Sequence, residues 1–226
     1  MRVPTVSIHS SSDAHKKSKI VKKSKYLYNT VRLNDFFCNF AENFHDMDII
    51  TVKDKRFKTL LDEQTILNRV KELGAQISKD YEGKDVIFLS ILNGSFMFAS
   101  DLMKTITIPS QITFLRLASY TGTSSTGKIK EVLGLQEDIS GKHVVVVEDI
   151  VDTGYTMMST LAQLREHTPA SIEVCTLLVK PNKLEVDLDL KYVAFEIPDD
   201  FVVGYGLDYD QLGRNYSSIY SLYTEE

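Results

Sequence analysis

The sequence predicts an α/β fold: a mostly parallel, twisted sheet flanked by helices. Three observations predict it. Segments of strand length alternate with segments of helical period, which is the order of a chain of βαβ units. The strand segments are apolar along their whole length rather than at every second residue, as suits a sheet covered on both faces. The 226 residues, 43% hydrophobic and 25% charged, suffice for one domain with a buried core.

The elements follow in order. "DEQTILNRVKELGAQISKDYEG" sets Ile66, Val70, Leu73 and Ile77 at steps of 4, 3 and 4, one face of an amphipathic helix. "DVIFLSIL" (residues 85–92) is an apolar run of strand length, and "SFMFASDLMK" after it reads as a helix. "QITFLRL" (residues 111–117) is a second strand. "ASYTGTSSTGKIK" has no apolar period and is rich in Ser, Thr and Gly, so it reads as a long loop with a purpose. Four consecutive valines, residues 144–147, make a central strand. A helix is expected from about Thr156 to His167, ending near Pro169. "SIEVCTLLV" (residues 171–179), "YVAFEI" and "FVVGYG" complete the strands. There is no internal repeat.

Composition narrows the function classes. No apolar run approaches the ~20 residues of a membrane helix, and "MRVPTVSIHSSSDAHKK" has no sustained apolar stretch after its charges. Cys38 and Cys175 fit no metal or redox spacing. A reducing, cytoplasmic setting is expected, where the glycosylation patterns at Asn93 and Asn215 carry no meaning. The net charge of -5 is unevenly spread: residues 1–46 hold eight Lys+Arg against four Asp+Glu, and the remainder carries -9. The basic run "HKKSKIVKKSK" is expected to be a solvated, disordered tail. The acidic body argues against general nucleic-acid binding, and nothing points to a membrane.

The chemistry concentrates in "HVVVVEDIVDTGYTM", where the most hydrophobic run leads straight into acids and small residues. In open α/β sheets, ligands bind at the carboxyl ends of the strands. Glu148 and Asp149, on adjacent positions, are expected to point to different sides, and either suits paired hydroxyls or a divalent cation. Asp152, Thr153, Gly154, Tyr155 and Thr156 then turn into a helix. Free N–H groups at a helix start, with Thr hydroxyls beside them, bind anions, and Gly154 permits close approach. The expected ligand is a sugar with vicinal hydroxyls at one end and a phosphate at the other. Taken alone, the turn reads equally as an Asp helix cap beside two solvated acids. No Walker A loop occurs.

"VVVVEDIVDTGYT" resembles the phosphoribosyl pyrophosphate signature of the phosphoribosyltransferases. "LNGSFMFASDL", "RLASY" with "STG", "LLVKP", "FVVGYGLDYD" and "GRN" follow the order found in hypoxanthine-guanine phosphoribosyltransferases, in particular bacterial ones. The resemblance covers roughly residues 50–224. It implies a type I phosphoribosyltransferase core over about residues 80–180. A small hood would be formed from 47–79 and 181–226, with 1–46 a separate extension. It implies transfer of phosphoribose from 5-phosphoribosyl 1-pyrophosphate to N9 of hypoxanthine or guanine, with Mg²⁺, in a homodimer or homotetramer.

The resemblance also implies roles. Glu148 and Asp149 would hold the ribose hydroxyls and sit near Mg²⁺, and Asp152 would be the general base at purine N7. The backbone of residues 152–156 with the Thr153 and Thr156 hydroxyls would hold the 5′-phosphate. Lys180 would bond the purine O6, Phe201 would stack on the base, and the Val202 backbone would read its N1/N2 edge. Without the resemblance, Lys180 reads as a surface lysine and Phe201 as core. Asp208 would help hold Mg²⁺, and Arg214 would contact pyrophosphate. Leu92, Asn93 and Gly94 would offer backbone N–H groups through a cis peptide at Leu92–Asn93. Ser119 and Tyr120 would lie in a mobile loop that closes over the reaction. Two positions depart from the common pattern: Asn93 and Tyr155 stand where many relatives have lysine, and backbone contacts suffice at both. A nucleotide-sensing RNA-binding regulator of the same fold and a xanthine-preferring transferase are the alternatives.

Overall fold

The computed structural model describes residues 31–32, 48–118, 130–135 and 137–224. Strand β1 is Val31–Arg32; β2 (Ile49–Val52) and β3 (Lys55–Leu61) form a tight antiparallel hairpin. Helix α1 (Glu63–Asp80) follows directly. Asp62 starts it by accepting the Thr65 N–H at 2.9 Å, which satisfies one of the first-turn donors. The face read from the sequence is the buried one: Ile66, Val70, Leu73 and Ile77 are at most 1% exposed. Arg69 is buried with them, donating to the Val193 and Ala194 carbonyls. At Gly74 the helix presses on helix α2 (Phe96–Thr105), where a Cβ would fall on Thr105.

The main sheet contains β4 (Val86–Leu92), β5 (Ser110–Ala118), β6 (Lys130–Leu133), β7 (His143–Val151), β8 (Ser171–Val179) and β9 (Tyr192–Glu196), with β1 at one edge. Its order is β1-β9-β8-β7-β4-β5-β6. Every pairing is parallel except β5 with β6. Both faces are covered at the central strands β4 and β7, while Ile112 and Phe114 of β5 are exposed. Val86 and Phe88 of β4 and Val145 and Val147 of β7 pack with α1 and α2. Ile87, Leu89, Val144 and Val146 face the other way, toward Met157, Leu161 and Leu164 of helix α3 (Tyr155–Arg165). This is why β4 and the four valines of β7 are buried at successive positions. Each buried valine contributes about 1.5–3 kcal/mol. Val31 and Arg32 pair with Phe195 and Glu196, on the N-terminal side of the composition break at residue 46.

A second, antiparallel sheet has the order β10-β11-β3-β2, where β10 is Val202–Val203 and β11 is Ile219–Leu222. "FVVGYG" is therefore not a strand of full length, and it does not join the parallel sheet. Gly204, Tyr205 and Gly206 all have positive φ, so the chain turns after two paired residues. Among the described residues no helix is long and apolar enough to cross a membrane.

Candidate active site

The site arises where neighbouring strands part. Strand β7 pairs with β4 as far as Ser90↔Val147, then continues beside β8 alone to Val151↔Val179. Meanwhile β4 stays with β5 as far as Leu92↔Arg116. The chain leaves β4 toward β5 and leaves β7 toward β8, so the crevice between β4 and β7 is the switch point of the sheet. Glu148 and Asp149 lie on β7 at that crevice, still within the strand.

The loop after β4 closes one side. Its Leu92–Asn93 peptide is cis. Buried Ser95 braces it, bonding the Ile91 carbonyl at 2.5 Å and the Ser90 hydroxyl at 2.7 Å. Gly94 lies against Asp149 so closely that a Cβ there would fall on the carboxylate. A Cβ on Gly206 would in turn fall on the Gly94 carbonyl oxygen. Three segments thus meet in the crevice, and neither Gly94 nor Gly206 has room for a side chain.

The strand alternation suggested that Glu148 and Asp149 diverge. Their carboxyls nonetheless lie close enough to perturb each other's ionisation. Alternation governs where Cβ atoms point, and it does not separate the ends of longer side chains. Burial pushes Glu148 well above the usual carboxylate range, and the neighbouring Asp149 charge adds to this. Burial raises Asp149 too, against the hydrogen bonds it accepts and the Arg214 charge. Arg214 is anchored by the Gly206 carbonyl at 2.7 Å and pairs with Asp208 at 2.7 Å; Asp208 also accepts the Gln211 N–H. Asp208 thus stands with Arg214, on the side assigned to pyrophosphate and apart from Glu148 and Asp149. Among the described residues no three His, Cys, Asp or Glu side chains converge.

Helix α3 begins at Gly154, whose φ of 88° is left-handed. A Cβ there would meet Val186 and Leu188 at 2.6 and 2.8 Å. Thr153 is half-buried and Thr156 and Tyr155 are exposed at the helix start. Asp152 does not cap the helix. Its Oδ2 pairs with Lys183 Nζ at 2.9 Å, while Oδ1 is buried without a hydrogen-bond partner. Lys183 also meets Asp199 at 3.3 Å, and the same Asp199 oxygen accepts from Lys180 at 3.3 Å. Lys180, read from the bare sequence as a surface lysine, is 7% exposed at the end of β8. Phe201, read as core, is 43% exposed. Its ring lies edge to face with Tyr209 at 5.8 Å and tilted on Phe57 at 6.1 Å. The Tyr209 hydroxyl donates to Asp54, and Lys55 Nζ stands 4.8 Å from the Tyr209 ring centre. Val202 is buried in β10. Ser119 and Tyr120 lie outside the described residues. Sequence reasoning missed Lys183, Asp199, Tyr209 and Gly206; the spacing of "KPNK" was the one local hint at Lys183.

A parallel sheet with an acid pair at its switch point, a left-handed glycine opening the next helix, and a second, antiparallel sheet give the chain a type I phosphoribosyltransferase-like fold. The chain belongs to that family: residues 57–210 match the model of the phosphoribosyl transferase domain. Within the family it falls among the hypoxanthine-guanine phosphoribosyltransferases. The hypoxanthine phosphoribosyltransferase of Haemophilus influenzae is 42% identical over 179 residues, 77% of this chain and all of that protein. The hypoxanthine-guanine phosphoribosyltransferase of Staphylococcus aureus is 46% identical over 169 residues, 74% of this chain and 94% of that protein. A crystal structure of the S. aureus hypoxanthine phosphoribosyltransferase superposes with a TM-score of 0.70, covering 73% of this chain and 90% of that one.

Proposed function

We propose that the protein moves phosphoribose from 5-phosphoribosyl 1-pyrophosphate to N9 of hypoxanthine or guanine, giving the nucleotide and pyrophosphate. One observation carries the reading: the acid pair and the left-handed helix start occupy one strand end, and Lys180 and Lys183 link that strand end to the hood through Asp152 and Asp199. One end suits a sugar phosphate and the other a 6-oxopurine.

In this reading Glu148 and Asp149 accept hydrogen bonds from the ribose 2′- and 3′-hydroxyls. The free N–H groups of the first turn of α3, with Thr153 and Thr156, hold the 5′-phosphate. The backbone of Leu92, Asn93 and Gly94, with Arg214, meets the pyrophosphate. Lys180 donates to O6, Phe201 lies on the purine face, and the Val202 backbone meets its N1/N2 edge. Asp152 accepts the N7 proton as N9 bonds to C1 and the C1–O bond to pyrophosphate breaks. Positive charge grows on the ribose at that moment, beside the acid pair. Ser119 and Tyr120 belong to the segment that would exclude water.

The residues fit a divalent cation. Two adjacent carboxyls, costly to ionise where they sit, gain from a cation between them and the substrate. With at most two such groups at one point, substrate oxygens and water must complete the shell, as is usual for Mg²⁺. Mg²⁺ bound there with the donor would neutralise charge on the pyrophosphate leaving group. We further propose a cytoplasmic homo-oligomer, with residues 1–46 outside the catalytic domain; buried Cys175, a free thiol, suits the reducing setting. The deciding experiment is product formation with hypoxanthine, guanine, xanthine and adenine, with and without Mg²⁺. Nucleotide from the first two bases alone, dependent on Mg²⁺, is expected; preferred use of xanthine or adenine would overturn the proposed specificity.

A further inference from the structure

Lys183 sits between two carboxylates, 2.9 Å from Asp152 Oδ2 and 3.3 Å from Asp199 Oδ1. Lys180 shares that Asp199 oxygen, also at 3.3 Å. Two cations and two carboxylates therefore alternate in one chain, Asp152–Lys183–Asp199–Lys180. Its two ends are the group assigned to take the purine proton and the group assigned to read O6. The other oxygen of Asp152 is buried and has no partner. The oxygen that Lys183 holds is thus the one open to a substrate.

We infer that Lys183 is a latch on Asp152, and that Asp199 is where it goes when released. This rests on the proposed roles of Asp152 and Lys180. When a 6-oxo group draws Lys180 off Asp199, that carboxylate loses one of its two cations and pulls harder on the other. Lys183 then needs only a short shift of a partly exposed, flexible side chain to leave Asp152. The base is freed by the purines it should act on. A purine without O6 leaves Lys180 in place and Asp152 latched. Lys183 and Asp199 are then specificity-determining residues whose effect falls on turnover and not on binding alone.

Two arms test this, both with saturating donor and Mg²⁺. The first uses hypoxanthine. Asp199→Asn removes the receiving carboxylate, so kcat should fall about tenfold. Adding Lys183→Met to Asp199→Asn should restore most of it, because no latch remains. The second arm compares hypoxanthine with unsubstituted purine. Lys183→Met should narrow the kcat ratio about tenfold by raising turnover of purine, and Lys183→Arg should keep the ratio of the unaltered enzyme. Thermal melts of each variant monitor folding; loss of structure cannot raise turnover in the double variant. The latch is overturned if Asp199→Asn keeps its kcat, if the double variant is no faster than Asp199→Asn, or if Lys183→Met leaves purine turnover unraised. Asp152→Asn in the same assay separates the two levels. If it retains full turnover, the base assignment itself fails, whatever Lys183 does.

Discussion

Replacing Gly94 by alanine should damage the enzyme far more than one methyl group suggests. Gly94 does not have a left-handed backbone, so the cost is steric. The new Cβ would overlap the Asp149 carboxylate, with even Oδ1 only 3.0 Å away. Restoring ordinary contact requires the carboxylate or the loop to retreat by about 1–2 Å. Neither has free room. The Asp149 carboxyl stands beside Glu148 and within the influence of Arg214, and the Gly94 carbonyl is backed by Gly206. A displacement of ~1 Å at reacting groups costs roughly 10²-fold, which is about 2.7 kcal/mol of barrier. Crowding of a packed site also destabilises the fold by about 1–3 kcal/mol. The assay is initial velocity with donor and purine varied in turn, alongside a thermal melt. The loss should appear in kcat and in the KM for donor, with the KM for hypoxanthine little changed. Gly83→Asn is the control: a Cβ there meets nothing within 4 Å, and asparagine is among the residues that tolerate the left-handed backbone of that position, φ 73°. If Gly94→Ala keeps kcat/KM for donor within about threefold, the Asp149 carboxylate does not need its observed place, and the assignment of the acid pair to the sugar is wrong.

Asp152→Asn should lower turnover by about 10²–10⁴-fold while donor affinity, measured by equilibrium binding, stays nearly constant; equal losses in both would move Asp152 out of proton transfer. Adenine should be a very poor substrate, because its 6-amino group cannot accept from Lys180; comparable kcat/KM for adenine and hypoxanthine would refute the O6 contact. Glu148 binds its proton more tightly folded than unfolded, so its contribution to stability is complete below its ordinary value of 4.5 and is lost as pH rises through the raised one. Glu148→Gln should therefore melt higher than the unaltered protein near pH 8, with the advantage vanishing below about pH 4.5; a gap independent of pH would contradict the burial cost. A chain beginning at Met47 should keep its kcat and melt within about 5 °C of the full chain, since the extension contributes only two paired residues to a sheet edge among those described. Loss of activity on that truncation would make residues 1–46 part of the domain.

Much of this protein was determined by sequence alone, because the signals are local. The step pattern of Ile66, Val70, Leu73 and Ile77 requires a helix with one buried face. Four successive valines require a strand covered on both sides. Acids followed by Thr-Gly at a strand end require a turn into a helix, and the ordered motifs identify the family through those same short stretches. What only the tertiary structure decided is which distant segments touch. Gly94, Asp149 and Gly206 look unrelated in sequence, and packing makes each the limit on the next. Val202 and Val203 have the composition of a parallel core strand. The left-handed glycines after them, and the pairing offered by β11, limit them to a two-residue strand of the antiparallel sheet. The meeting of Lys183 with Asp152 left no trace in composition or period. A lysine and a carboxylate are each content in water, and their pairing gains little there. Nothing local in the chain demands the contact, and it exists because the fold brings the ends of β7 and β8 and the loop at Asp199 to the same place.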